Sequence, residues 1–354
     1  METECNLNKQ NKNQDHPSKV AVAGAPGFLG TKLVEALLQQ GREVTCLVHP
    51  SFKKNISPIF PAKEVTIAFM DILSPVEELA VNLTGIETLF NCAGIQHPKK
   101  TDEIYRVNRD GAVNLLQAAI KAGVKNFIHI SSSTIYGTNA DLSTPLTELS
   151  PLKYSSHYTK SKIQGDELLI KNSDKGTKVV IIAPAVFYGH PASNNLRELM
   201  ELLKNNKIVP LVRSSNKGGY LRSYVSLNKV IEIMLAAENK GRNGQIYLAA
   251  DKQPLTTLEF YKALSQGLKV EPNLLTIPTV CSRITEKMDY LSGQFNIHLR
   301  YLNALAHLGR HHFVNPDKAE KELGVKMNEN STPGLKEMAG KNGQEKISQG
   351  EKQT

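Results

Sequence analysis

The stretch Tyr158-Thr159-Lys160-Ser161-Lys162 sets a phenol and an ammonium four residues apart, the spacing that puts both on one face of a helix. A cation close to a phenol favours the phenolate, by about 1–3 pKa units if it acts as other close opposite charges do. Tyr158 so poised can exchange a proton with an alcohol or a ketone near neutral pH, and Lys162 can also hold a ribose hydroxyl. Upstream, Ser131-Ser132-Ser133-Thr134-Ile135-Tyr136-Gly137 closes a short apolar run. A serine at such a strand end can donate to a substrate oxygen and polarise a carbonyl. Taken alone, a Tyr and a Lys at helical spacing are an ordinary amphipathic pair, and a serine run is an ordinary turn whose hydroxyls cap backbone groups. The company these residues keep decides.

That company includes Gly24-Ala25-Pro26-Gly27-Phe28-Leu29-Gly30, directly after the apolar run Lys19 to Gly24 and before apolar residues at helical spacing, Leu29, Leu33, Ala36 and Leu37. This is a G-x-x-G-x-x-G form of the dinucleotide fingerprint, in which missing side chains let backbone amides and a helix N-terminus approach a pyrophosphate. Gly24, Gly27, Phe28, Leu29 and Gly30 are the expected cofactor-binding positions. An NAD site usually carries an acid about 20 residues on, for the ribose 2′-hydroxyl, whereas a cation there accommodates the 2′-phosphate of NADP. The chain reads Val48-His49-Pro50 at that place, with Lys53 and Lys54 close by, which favours NADP over NAD.

The elements that would position these groups alternate. Short apolar strands are expected at Glu43 to Val48, Glu64 to Phe69, Glu87 to Cys92, Asn126 to Ser131 and Lys178 to Ala183. Helices are expected at Pro75 to Leu83, Glu103 to Ala122 and His157 to Ile170. Such alternation implies an α/β fold, a doubly wound parallel sheet with helices on both faces. Beyond Gly189 helical stretches dominate (Leu196 to Leu203, Leu227 to Ala237, Thr257 to Gly267, Thr279 to Leu291), with one short strand at Gln245 to Ala249. The expected organisation is a disordered polar leader over 1–17, a dinucleotide-binding domain over 18–189, a smaller, mostly helical substrate lobe over 190–327 and a disordered tail over 328–354.

Composition excludes several classes. The net charge of +9 suits a nucleic-acid binder or an enzyme for phosphorylated ligands, but Trp is absent, aromatics are 6% and no Lys/Arg block occurs, so a base-stacking platform is not expected. Cys5, Cys46, Cys92 and Cys281 form no C-x-x-C pair, which fits neither a metal site nor a disulfide framework and points to a cytoplasmic setting. The leader has no apolar core, and the longest apolar stretch, Val179 to Phe187, is far short of the roughly 20 residues that span a bilayer.

Together these motifs resemble the extended short-chain dehydrogenase/reductase family, also called the NAD-dependent epimerase/dehydratase family, over roughly Val20 to Glu322. Further matching stretches are Asp71-Ile72, Asn91 to Gly94, Val107-Asn108 with Asn114 to Ala119, Pro184 to Gly189, Arg222 to Val225 and Phe313 to Gly324. The resemblance implies a Rossmann fold and a Ser132-Tyr158-Lys162 triad, with Tyr158 as acid/base, Lys162 orienting the nicotinamide ribose and lowering the tyrosine pKa, and Ser132 binding the reacting oxygen, Ser133 being the fallback. It places Asp71 and Ile72 beside the adenine, Ala93 and Gly94 along the pyrophosphate and ribose, and Pro184 at the cofactor. Asn108 is either a site residue or a tie from helix to strand.

The substrate is less sharply marked. Sugar-nucleotide members usually carry Arg-Pro-x-Asn before Tyr-Gly, where this chain reads Ala183-Pro184-Ala185-Val186-Phe187-Tyr188-Gly189. Arg222 nonetheless matches an arginine that grips a diphosphate in many of them. The resemblance therefore implies hydride transfer on a nucleotide-linked sugar, as a 4-epimerase or 4-keto reductase. The apolar segment Ile277 to Leu291 supports the alternative of a lipophilic ketone, as in 3β-hydroxysteroid dehydrogenase-like or dihydroflavonol reductase-like relatives. A non-catalytic NAD(P)-binding module is the reading from another class. The partners expected are a small-molecule substrate and, by analogy through the helices of 103–122 and 157–170, a second copy of the chain.

Overall fold

The computed structural model describes residues 18–54, 60, 64–96, 98, 100–213, 218–294 and 308–350; the expected leader over 1–17 lies outside them. The first strand, β1 (Lys19–Ala23), buries Val20 to Ala23 completely, as a central strand covered on both faces must. Val20 and Val22 join one core, and Ala21 and Ala23 the other. Helix α1 (Phe28–Gln39) follows, then β2 (Glu43–Val48), β3 (Thr66–Phe69), α2 (Val76–Val81) and β4 (Thr88–Asn91). After α3 (Thr101–Tyr105) and α4 (Ala112–Ala122) come β5 (Asn126–Ile130), α5 (His157–Lys171) and β6 (Lys178–Pro184).

The second half adds β7 (Val186–Tyr188), α6 (Asn194–Lys204), β8 (Val209–Val212), β9 (Leu221–Arg222), β10 (Tyr224–Ser226), α7 (Leu227–Lys240) and β11 (Gln245–Ala249). It closes with β12 (Leu255–Thr256), α8 (Thr257–Leu268), β13 (Leu274–Ile277), α9 (Thr279–Gln294), α10 (Asp317–Leu323) and α11 (Thr332–Gly350). Seven strands form one parallel sheet in the order β11-β6-β5-β4-β1-β2-β3. The chain runs outward from β1 to β3 and then returns to lay β4 on the other side of β1. The carboxyl ends of β1 and β4 thus flank a topological switch point, the crevice where open α/β sheets bind ligands.

One sheet face is covered by α1, α7 and α10, through Leu33, Val34, Leu37, Val230, Met234 and Leu323. The other is covered by α2, α4 and α5, through Leu79, Leu115, Leu116 and Leu169. A boundary at Gly189 therefore does not divide the cores: α7, β11 and α10, all expected in the substrate lobe, belong to the sheet layers. The helix expected from Glu103 is interrupted by a π-helical segment over Arg106–Gly111. There α5 approaches so closely that a Cβ on Gly165 would lie 2.7 Å from the Asn108 carbonyl oxygen. At the amino edge of the sheet, Arg42 makes two 2.6 Å hydrogen bonds to Glu238, which also accepts from Thr88 at 2.6 Å, while Lys178 donates to the Glu238 carbonyl at 2.7 Å.

A third core, with Tyr188, Leu196, Met200, Tyr224, Phe260 and Leu264, sits beyond the carboxyl edge. The segment expected to be a disordered tail from Asn328 carries α11 instead, and Leu335, Met338 and Ala339 are buried in this core. The misreading has a physical cause: the sequence of α11 is mostly Lys, Glu, Gln, Asn and Gly, and among the described residues its apolar contribution to this core is Leu335, Met338 and Ala339. Its contacts with α8 are tight, since a Cβ on Gly267 would lie 2.3 Å from the Lys336 carbonyl oxygen. Buried Asp251 anchors the same segment by accepting from Ser331 at 2.5 Å, Asn328 at 3.0 Å and Tyr188 at 3.2 Å. Among the described residues no helix is long and apolar enough to cross a membrane.

Candidate active site

The β1–α1 turn is built for close approach. Gly24 has φ of +74°, and a Cβ there would lie 2.7 Å from the Ala93 amide nitrogen, so the loops after β1 and β4 touch through the glycine. A Cβ on Gly30 would stand 2.2 Å from the Gly24 carbonyl oxygen. Gly27 precedes α1 as its N-cap without a side-chain cap, and the first turn carries no acid, which leaves a helix N-terminus suited to an anion. Phe28 stacks on Phe187 with centroids 5.7 Å apart, and Leu29 is buried beneath.

Beside this cradle, Asn114 donates to the carbonyls of Ile72 (2.8 Å) and Ser74 (2.6 Å), pinning the loop after β3 on which Asp71 is half-exposed. At the end of β2, His49 takes a 3.2 Å hydrogen bond from the Ser51 amide and stands 3.7 Å from Asp71, and the Lys53 ammonium lies over Phe69. Lys54 is exposed nearby and Pro184 is buried at the end of β6. Gly94 is hemmed in by Asn108 and Lys162, each 3.3 Å from where its Cβ would be. Asn108 accepts from the Ile95 amide and donates to the Ile95 carbonyl, both at 2.9 Å, and donates to Ser161 at 3.1 Å. Its side chain thus ties the π segment to the loop after β4 and to α5.

A capping box of Ser156 and Thr159 starts α5, so that Tyr158 and Lys162 stack on its sheet-facing side. The Ser132 hydroxyl pulls the Tyr158 pKa down, and lies 2.8 Å from the hydroxyl of Thr134. Ser133 is placed differently: it is buried and donates to His312 Nε2 at 2.8 Å, while His312 Nδ1 donates to the Gly137 carbonyl at 2.6 Å. Burial and the Arg222 charge hold His312 neutral, its pKa pushed down to about 4. Arg222 is 8% exposed on β9, bridged to His312 through the backbone, with Tyr224 and Tyr261 acting on its charge.

The electrostatics depart from the expectation that Lys162 lowers the tyrosine. Burial pushes Tyr158 up to about 12; Ser132 pulls it back and Asp166 pushes it further. Lys162 points its ammonium at the Ile130 carbonyl, 2.8 Å away, and burial lowers its pKa. Tyr158 is therefore a phenol at neutral pH, with a proton to give. Three groups here escaped the sequence reading. His312 is 179 residues from Ser133, and His129 and Asp166 sit within apolar and amphipathic patterns; a polar residue at a core position was the available signal.

A glycine-lined turn at a switch point, close to a Tyr-Lys pair and a serine, suits an NAD(P)-dependent α/β enzyme. The model of the NAD dependent epimerase/dehydratase family matches residues 20–250, and the chain belongs to that family. It is 27% identical over 304 residues to UDP-glucose 4-epimerase of Vibrio cholerae, covering 80% of this chain and 88% of that protein. To the 3-beta-hydroxysteroid dehydrogenase of Mycolicibacterium neoaurum it is 28% identical over 328 residues, with 86% of each covered. The structure of UDP-glucose 4-epimerase with UDP-glucose from Thermotoga maritima shares the fold at a TM-score of 0.74, with 20% identity, 93% of this chain and 99% of that chain covered. The glycine cradle and the open start of α1 fit a dinucleotide.

Proposed function

We propose that this enzyme moves a hydride between nicotinamide C4 and a secondary alcohol or ketone of a nucleotide-linked sugar, as a 4-epimerase or 4-keto reductase. Arg222 carries the reading: it is a buried guanidinium on β9, bridged through the backbone to the His312 that meets Ser133, and its planar fork suits a diphosphate. Bound cofactor supplies the hydride donor or acceptor. Ser132 orients the substrate oxygen, Tyr158 gives or takes its proton, and Lys162 holds the nicotinamide ribose, with Ser133 and Arg222 shaping the substrate side. Gly24, Gly27, Phe28, Leu29, Gly30, Asp71, Ile72, Ala93, Gly94 and Pro184 line the cofactor. NADP is preferred to NAD, since β2 ends at Val48 with His49, Lys53 and Lys54 following rather than a carboxylate. The described cysteines are free, which supports a cytoplasmic setting, and the helices on either side of the π segment with α5 supply the face for a homodimer.

The test is turnover of nucleoside-diphosphate hexoses and of 3β-hydroxysteroids by wild type and Tyr158→Phe. Loss of a positioned acid/base should cut turnover of the hexose by about 10²–10⁴-fold and leave dinucleotide binding in place. Unchanged turnover in the variant sinks the role of Tyr158. A steroid-like or flavonoid-like ketone is the second reading, favoured by Val280, Ile284 and Met288, an apolar stripe along α9 of which each member is about half exposed. Turnover of the steroids alone selects it. Dinucleotide binding with no turnover of either class selects the non-catalytic module.

A further inference from the structure

Beneath the Tyr158–Lys162 pair, consecutive residues of β5 and the turn after it grip consecutive turns of α5. The Ile130 carbonyl accepts from Lys162, and the Ser131 hydroxyl donates to Asp166 Oδ2. Asp166 is 3% exposed. Its other oxygen, Oδ1, has no hydrogen-bond partner, and neither has His129 Nε2, which stands 3.7 Å from it. The neighbours fix where the imidazole proton sits. The Ala93 amide donates to Asn91 Oδ1 at 3.1 Å, which turns the Asn91 nitrogen toward His129 Nδ1 at 3.0 Å. Nδ1 therefore accepts, and the ring proton is on Nε2, directed at the carboxyl. A chain of polar groups thus runs from the loop that touches Gly24 to the buried carboxyl one turn beyond Lys162.

We propose that Asp166 is a positioning residue of this site, a buried counter-charge that holds Lys162 as an ammonium beneath Tyr158, tuned by Ser131 and His129. The inference rests on the proposed roles of Tyr158 and Lys162. The groups facing the carboxyl are Lys162, Tyr158 and Glu167 on α5, His129 on β5, and Ser131 and Tyr136 just after it, with Cys92 beside Lys162 from the loop after β4. Burial raises Asp166 up to about 7, against the pull of Ser131 and Lys162. In its charged form the carboxylate supports the ammonium against burial, and in its protonated form that support is gone. A buried ion that loses its partner is costly, so the pKa of Lys162, rather than its charge near neutrality, depends on whether Asp166 is ionised.

The test is a pH titration of cofactor-free protein carrying lysine labelled with ¹³C at Cε, read by NMR, with the Lys162 resonance identified by its absence in Lys162→Met. The wild-type resonance should show an inflection near pH 7 from Asp166 below its own alkaline titration. Asp166→Asn should abolish the inflection and lower the alkaline midpoint by about one unit or more, and Asp166→Glu should restore both. Ser131→Ala keeps the carboxyl but removes its donor, and should move the inflection upward. A Lys162 titration unaltered by Asp166→Asn overturns the proposal; if that variant does not fold, an inflection unmoved by Ser131→Ala does so. Since neither cofactor nor substrate is present, the outcome is separate from whether Tyr158 is the acid, which turnover of Tyr158→Phe decides.

Discussion

At Gly30 a methyl group would meet the Gly24 carbonyl oxygen at 2.2 Å, a backbone contact that no side-chain rotation relieves. Gly30→Ala should weaken dinucleotide binding by about tenfold or more, equivalent to about 1.4 kcal/mol, as calorimetry would show; unaltered affinity would mean that the turn is not the cradle. Asp166 gives a stability prediction with a definite sign. Its folded pKa of about 7 lies above the 3.8 of an ordinary carboxyl, so between these values the folded chain binds the extra proton and loses stability as pH rises. The melting temperature of Asp166→Asn relative to wild type should therefore climb from about pH 4 to about pH 7 and level off beyond. A difference constant with pH would show that the carboxyl is not perturbed. The Tyr-x-x-x-Lys and glycine spacings were legible because they are local, whereas the partners of Ser133 and Asp166 come from other elements and exist only after folding.

Helix α11 shows what periodicity misses at the scale of elements. Its Lys, Glu, Gln and Gly content reads as unfolded, yet fully buried Leu335 and the Asp251 anchor fasten it to the lobe. Leu335→Ala should destabilise the fold by about 2–5 kcal/mol in denaturant titration, the range for a buried leucine; a cost within the scatter of surface substitutions would mean that the helix is dispensable. The seven sheet strands, β1 to β6 and β11, were readable from apolar runs of four to seven residues. Strands β7 to β10, β12 and β13 were not, since runs of two to four residues pair in twos and carry little pattern of their own. The π segment also left no trace in the sequence. It answers the close approach of Gly165 to Asn108, a tertiary demand.

For the whole molecule, the excess of nine positive charges should matter to one substrate class and not the other. If a diphosphate is drawn to Arg222, KM for a nucleotide sugar should rise as salt shortens the Debye length from about 30 Å at 0.01 M to about 10 Å at 0.1 M, while KM for a neutral steroid should not. Steady-state kinetics at two ionic strengths would tell, and a salt-insensitive KM would remove the guanidinium from the binding account. The clamp of Arg42, Glu238, Thr88 and Lys178 lies at the amino edge of the strands, and every group discussed for chemistry lies at the carboxyl edge. Evolution can therefore rewrite the loops over the crevice for a new substrate while the rivets at the opposite edge go on holding the scaffold, and a library confined to exposed positions of those loops samples specificity with little risk to folding.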